Sequence, residues 1–127
     1  MSVEYHELHG NPDYTFSYCV KAGDCIYTSH HGAWTYGKKE GETGIEEQTR
    51  LTLENLDKTL MAAGSSLDEV IQTTVWLKKK EDFKPMRDTY REFFKKGHYP
   101  ARMTAFTEFL NNGCLIMIEA IAYHPRS

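Results

Sequence analysis

Residues 114–123, CLIMIEAIAY, decide the fold because they are apolar at both their odd and their even positions. An antiparallel strand with one face in water alternates apolar and polar residues, and this stretch does not alternate. The pattern therefore predicts a strand that is buried on both faces of a sheet. Its one charged residue, Glu119, lies among uncharged neighbours. A lone charge there costs free energy unless it pairs with another charge or takes part in binding or catalysis.

A second isolated charge precedes this stretch. Arg102 lies in residues 98–108, HYPARMTAFTE, directly after Pro-Ala. The Asn-Asn-Gly between the two stretches is a hairpin signal that joins a strand over 102–108 to the last strand. A two-residue turn would put Arg102 and Glu119 on one face, about 13 Å apart, and a loop of about six residues would set them opposite each other. A three-residue turn would put them on opposite faces, and the sequence leaves the choice open.

Strand patterns dominate the first third of the chain. Residues 15–20 and 25–31 are rich in β-branched and aromatic side chains and predict two strands, with Gly23 in the turn between them. The glycine-rich residues 32–44 predict an irregular surface loop.

Two helices are predicted on either side of a third strand over residues 70–77. From Ile45 the apolar residues recur with helical spacing, and Gly64 is placed to end that helix. Asp82 is placed to cap the second helix, whose apolar face would carry Phe83, Met86, Tyr90, Phe93 and Phe94.

This order predicts an α+β fold in a single domain over residues 1–127, with residues 1–13 as an irregular N-terminal segment. The fold would be one mostly antiparallel mixed sheet of five to six strands, with two helices packed on one face. Two helices cannot cover both faces of such a sheet. The doubly apolar last strand therefore predicts an oligomer built through the other face.

The composition is that of an ordinary folded domain. The 127 residues are 40% hydrophobic and 26% charged. The net charge of −3 does not indicate a surface that binds nucleic acid or an anionic membrane. No apolar run approaches the ~18 residues of a membrane span, and residues 1–20 lack the features of a signal peptide. A cytoplasmic protein is expected.

Metal chemistry has little support in the sequence. Cys19, Cys25 and Cys114 match no metal-binding or disulfide spacing and predict reduced thiols. His30 and His31 are adjacent in a strand and would point to opposite faces, so we expect one to line a cavity and the other to face solvent. A metal site that joins one of them to His98 or Cys25 is a minor alternative.

Arg102 and Glu119 have two interpretations. They could form a buried ion pair at an interface. Alternatively, the planar guanidinium binds a substrate carboxylate while the glutamate holds a water molecule for attack. Phosphoryl transfer and serine hydrolysis have little support, because the chain has neither a glycine-rich phosphate loop nor a nucleophile elbow.

Four segments resemble the RidA (YjgF/YER057c/UK) family of reactive-intermediate deaminases. They are KAGDCIYTS at 21–29, the long stretch GIEEQ…YREFF at 44–94, PARMTAF at 100–106 and IMIEAIAY at 116–123. The resemblance spans roughly residues 14–123. It implies a chorismate-mutase-like α+β fold and a homotrimer with its sites between subunits. It also implies hydrolysis of enamines and imines such as 2-aminoacrylate to 2-oxo acids and ammonia, without metal or cofactor.

The resemblance also assigns residues. Arg102 falls on the family's substrate-carboxylate arginine, Glu119 on the glutamate that positions water, and Thr104 on a position that supplies backbone contacts. Three residues line the implied site but depart from the family pattern: Phe16, His30 and Arg87.

In relatives a tyrosine often stands at the position of Phe16, a glycine at that of His30 and an asparagine at that of Arg87. Phe16 and Arg87 would face the site from a neighbouring subunit. The extra cation suggests a substrate with a second acidic group or another polar tail, and His30 either narrows the pocket or acts as an acid or base.

Two other functions compete with this interpretation. The substituted residues would suit a trimer that binds a small carboxylate, for regulation, without turnover. The ribonuclease or translation-inhibitor activity attributed to some relatives is disfavoured by the negative net charge and the lack of a basic, aromatic-rich face. The lysines at 78–80 and 95–96 are expected to be solvated.

Overall fold

A computed structural model describes residues 2–37 and 44–125. Residues 38–43 of the predicted loop lie outside the described residues. Six strands and two helices are present in the described part, and short 3₁₀ turns at Leu67–Glu69, Lys80–Asp82 and Arg91–Phe93 join some of them. In chain order they are β1 Val3–His6, β2 Cys19–Ala22, β3 Cys25–Thr28, α1 Ile45–Ala62, β4 Val70–Leu77, α2 Phe83–Tyr90, β5 Ala101–Phe106 and β6 Ile116–Tyr123.

The strands form one mixed sheet in the order β1-β2-β3-β6-β4-β5. Only the pair β4–β5 is parallel, and its connection runs through α2. The last strand of the chain, β6, lies in the middle of the sheet and pairs antiparallel with both β3 and β4. The predicted α+β fold, with a mostly antiparallel mixed sheet and two helices on one face, is confirmed.

The predicted hairpin between the last two strands is wrong. β4 lies between β5 and β6, so Arg102 is opposite Thr73 and Glu119 is opposite Thr74. The physical reason is that β6 gains two antiparallel partners in this position, which suits a strand without a polar face. None of the three hairpin registers occurs, because the two strands are not neighbours.

Two local predictions are also wrong. Residues 1–13 are not wholly irregular, because β1 uses the free backbone edge of β2, with Val3 opposite Ala22. Asp82 precedes α2 but makes no capping hydrogen bond through its side chain. Its backbone is already helical, at φ −83° and ψ −3°, since a 3₁₀ turn runs directly into the helix. A capping side chain needs extended backbone at that position.

The first helix packs its apolar stripe onto the sheet. Leu53, Leu56 and Leu60 are fully buried in a core shared with β4, β6 and α2. The helix ends where Gly64 adopts a φ of +91°, as predicted. In that left-handed region a side chain would add strain, so glycine suits the end of this helix. No helix in the described part is long and apolar enough to cross a membrane.

The other face of the sheet is uncovered in the single chain. Its alternate positions carry large apolar side chains that are close to half exposed or more, namely Tyr5, Tyr27, Met103 and Tyr123. Burial in β6 follows the same alternation, with Ile116, Ile118, Ala120 and Ala122 buried on the helix side. Exposed apolar patches of this kind are typical of surfaces that contact another protein, a membrane or a ligand.

Replacing Leu56 by alanine tests the packing of this core. Leu56 is fully buried, so the L56A variant should lose about 3 kcal/mol of unfolding free energy from lost burial and a residual cavity. Urea denaturation at fixed protein concentration measures it. Met61, on the same helix, is 62% exposed, and M61A should differ from wild type by less than about 0.5 kcal/mol. Equal losses in both variants would contradict the described packing.

Candidate active site

Glu119 lies on the uncovered face of the sheet, at a point where three strands come together. Its Oε1 accepts a hydrogen bond from the indole Nε1 of Trp76 on β4 at 3.0 Å. The same oxygen is 2.9 Å from Nε2 of His30, which follows β3. The Glu119 side chain keeps 38% of its surface exposed, so the carboxylate is held but still accessible.

Two clefts are lined in part by His30, one of the two residues that contact this carboxylate. One has a volume of about 430 Å³ and has Trp76, Phe109, Leu110 and Met117 among its lining residues. The other, of about 420 Å³, reaches Phe16. The structure therefore places His30 beside Glu119 and in one cleft with Phe16.

Arg102 lies in a different cleft, of about 310 Å³, which it shares with Arg87, Tyr90 and Tyr99. Its guanidinium carbon is 5.2 Å from the ring centre of Tyr90 and 5.6 Å from that of Phe83, within cation–π range. No carboxylate in the described residues pairs with Arg102, whereas Arg87 pairs weakly with Asp88 at 3.4 Å. This cleft thus offers a guanidinium that is free to bind an anion.

The two charges lie on opposite faces of the sheet within one chain. Arg102 is opposite the buried Thr73 and contacts α2, which places it on the helix side. Glu119 alternates with the buried Ile118 and Ala120 and lies on the other side. Arg102 and Glu119 of the same chain therefore form no ion pair with each other.

The expected grouping of the substituted residues also changes. Phe16 and Arg87 were both expected to approach an Arg102–Glu119 site from a neighbouring subunit. In the structure Arg87 shares a cleft with Arg102 of its own chain, and Phe16 lies near His30 of its own chain. Because side chains alternate along β5 and β6, Arg102 and Glu119 lie on opposite faces, and the residues near each of them are separated as well. Thr104 is half-buried on β5, opposite Val75.

His31 does not face solvent, as one of the two adjacent histidines was expected to. It is fully buried, with Nδ1 2.9 Å from the carbonyl oxygen of Ser29 and Nε2 2.7 Å from the hydroxyl of Thr59. The hydroxyl of Tyr36 makes a short hydrogen bond to the same threonine. Burial lowers the pKa of His31 to about 4, so its ring is neutral at pH 7 and supports the segment that carries His30.

The cysteines are free thiols, and burial raises the pKa of Cys19 to about 11. Such a thiol is a poor nucleophile at neutral pH. Within residues 2–37 and 44–125, no three histidine, cysteine, aspartate or glutamate side chains group as metal ligands would.

Trp76 is the site residue that sequence reasoning missed. The strand over 70–77 was predicted, and counting from its buried residues Val75 and Leu77 would have placed Trp76 on the other face. Its contact with Glu119 depends on the pairing of β4 with β6, which local sequence does not encode.

Comparison with known proteins now identifies the family. Residues 9–124 match the family described as Endoribonuclease L-PSP. A RutC family protein from Pyrococcus horikoshii is 40% identical over 124 residues, covering 95% of this chain and 96% of its own. The human 2-iminobutanoate/2-iminopropanoate deaminase is 35% identical over 79 residues, covering 62% of this chain and 57% of its own.

The crystal structure of Escherichia coli TdcF with bound serine has the same fold. It superposes with a TM-score of 0.76 at 28% identity and covers 90% of each chain. The chain belongs to the RidA/YjgF family, as its sequence motifs indicate.

The buried His31 predicts how stability depends on pH. Its pKa is about 4 in the folded chain and near 6.5 when unfolded, so the unfolded chain binds more protons between these values. Stability should fall as the pH decreases from 6.5 to 4, by up to about 3 kcal/mol from this group.

Urea denaturation at several pH values tests this dependence. His31→Gln should flatten the fall between pH 6.5 and 4 relative to wild type. His98→Gln, at an exposed histidine, should leave it unchanged. A wild-type profile identical to that of H31Q would contradict the assignment.

Proposed function

We propose that this protein hydrolyses reactive imines and enamines of the 2-iminopropanoate and 2-aminoacrylate type to 2-oxo acids and ammonia. The site would form between neighbouring subunits of a homotrimer. Membership of a family that includes a deaminase of 2-imino acids supports the reaction class. The uncovered, apolar face of the sheet supports assembly.

The observation that carries the proposal is the separation of the two charged groups. Arg102 has no carboxylate partner among the described residues, and Glu119 is accessible on the opposite face. A site that needs a cation for the substrate and a carboxylate for the water requires both. Two copies of the chain can supply them, with the helix-side cleft of one copy against the carboxylate face of the next.

Arg102 would bind the carboxylate of the substrate. A guanidinium remains charged at every physiological pH and can donate two parallel hydrogen bonds to a carboxylate. The rings of Tyr90 and Phe83 lie within cation–π range of the guanidinium and help to hold it in place. This binding fixes the imine carbon and converts attack by water into a reaction between positioned groups.

Glu119 would orient and deprotonate the attacking water. The water oxygen forms a bond to C2, the electron pair of the C=N bond moves to nitrogen, and one water proton passes to the carboxylate. That proton is then given to the nitrogen, and the remaining hydroxyl proton follows the same route as C2 becomes a carbonyl. The C–N bond breaks, and ammonia leaves. An enamine substrate first takes a proton at C3 and gives up one from nitrogen to become the imine.

The remaining site residues would determine the choice of substrate. Arg87 adds a second cation to the carboxylate-binding cleft and would favour substrates with a further acidic or polar group. Phe16 borders the opposite half of the site, where His30 lies between it and Glu119. Thr104 would contribute backbone contacts.

A trimer that binds a small carboxylate without turnover is the second candidate. The observation in its favour is that a solved relative, TdcF, holds serine, an intact amino acid. The family description names an endoribonuclease, but the net charge of −3 does not favour RNA as the ligand.

Arg102→Ala should abolish most of the activity. A pyridoxal-phosphate enzyme generates 2-aminoacrylate in situ, and the wild type should accelerate its conversion to pyruvate and ammonia. We expect kcat/KM of R102A to fall by roughly a hundredfold, because two charge-assisted hydrogen bonds to the substrate are lost. Loss of enamine absorbance and release of ammonia measure the reaction.

The matched control is Arg50→Ala. Arg50 pairs with Glu47 on the surface of α1 and lines none of the three clefts, so its removal should leave the rate within about twofold of wild type. A folded, oligomeric wild type that accelerates none of several imines, yet binds 2-oxo acids, would refute the deaminase and favour the binding protein.

A further inference from the structure

Two donors converge on a single oxygen of Glu119. The Trp76 indole can only donate, and an ionised carboxylate can only accept. The Nε2 of His30, 2.9 Å from the same oxygen, must therefore carry its proton. Both hydrogen bonds end at Oε1, at 3.0 Å from Trp76 and 2.9 Å from His30, and neither reaches Oε2.

The donors approach from the strands on both sides of β6. Trp76 comes from β4, and His30 comes from the segment after β3. Their rings are 5.9 Å apart at an interplanar angle of 63°, an edge-to-face contact that fixes each ring against the other. The carboxylate is thus held from two directions, and its plane is set.

Stability alone gives little reason for this arrangement. The side chains of His30 and Glu119 are 53% and 38% exposed. Ion pairs and hydrogen bonds at such exposure contribute little to folding, because water competes for both partners. What the arrangement does provide is orientation, since an unpaired glutamate side chain otherwise exchanges among several rotamers.

We propose that Trp76 and His30 are positioning residues that fix Oε1 of Glu119 and leave Oε2 as the oxygen that receives the water proton. The proposal rests on the deaminase function above, and it assigns the two residues to the catalytic rate rather than to substrate affinity. Loss of either donor lets the carboxylate rotate, so the two residues act as a unit.

Kinetics of 2-aminoacrylate hydrolysis separate this role from a structural one. Trp76→Phe keeps an aromatic ring but removes the donor, and His30→Leu removes the other donor. Each should lower kcat about tenfold and leave KM within about twofold. His30→Gln keeps an N–H donor of similar reach and should restore most of the lost rate.

The double variant W76F/H30L gives the sharpest result. If both residues act through one oxygen, the double variant should lose little more rate than the single variants do. Its kcat should lie within about threefold of that of the worse single variant. Independent contributions would multiply to about a hundredfold loss and would overturn the proposal. A normal kcat in both single variants would also overturn it.

A magnetic resonance experiment tests the contact without any activity. The chain has two tryptophans, so its indole region holds two N–H signals, and the one lost in W76F belongs to Trp76. That signal should move upfield in Glu119→Ala, because it loses a charged acceptor. An unmoved signal would refute the contact, even if the wild type proved to have no deaminase activity. A moved signal with an inactive wild type would refute the deaminase function and its positioning role but keep the geometry.

Discussion

The alternation of side chains along a strand is the constraint on which the site depends. β6 occupies the middle of the sheet and gives every second residue to the helix-covered core. Glu119 therefore faces the uncovered side, whereas Arg102, two strands away, faces the helices. No rotation of either side chain changes which face of the sheet it leaves. A single chain cannot combine the two groups across its own sheet.

This separation links function to assembly. The face that carries Glu119 also carries exposed apolar side chains, which gain from burial against another protein. A contact between that face of one copy and the Arg102 cleft of the next would bring the two groups together. A head-to-tail contact of this kind closes into a ring when the rotation permits, as in a trimer. The same contact would also exclude water from the reacting atoms and so strengthen their electrostatic interactions.

Local sequence predicted the elements better than their arrangement. Helical spacing located α1 and its end at Gly64, and the apolar run of β4 was predicted with its observed bounds. The position of β6 between β3 and β4 could not be read locally, because it results from long-range pairing. For the same reason, the sequence showed that Arg102 and Glu119 were unusual but could not show that they face apart. The partners of Glu119 depend equally on this pairing, and His30 was predicted to line a cavity without its carboxylate being identified.

Complementation between two inactive variants tests the central claim most directly. R102A lacks the cation, and Glu119→Ala lacks the carboxylate, so each should be inactive alone. After unfolding and refolding together, with native mass spectrometry to show mixed trimers, about one quarter of sites should regain both groups and the corresponding share of activity. This result is predicted if the two residues come from different chains. Mixed trimers without recovered activity would contradict the account, because both residues would then act from the same chain.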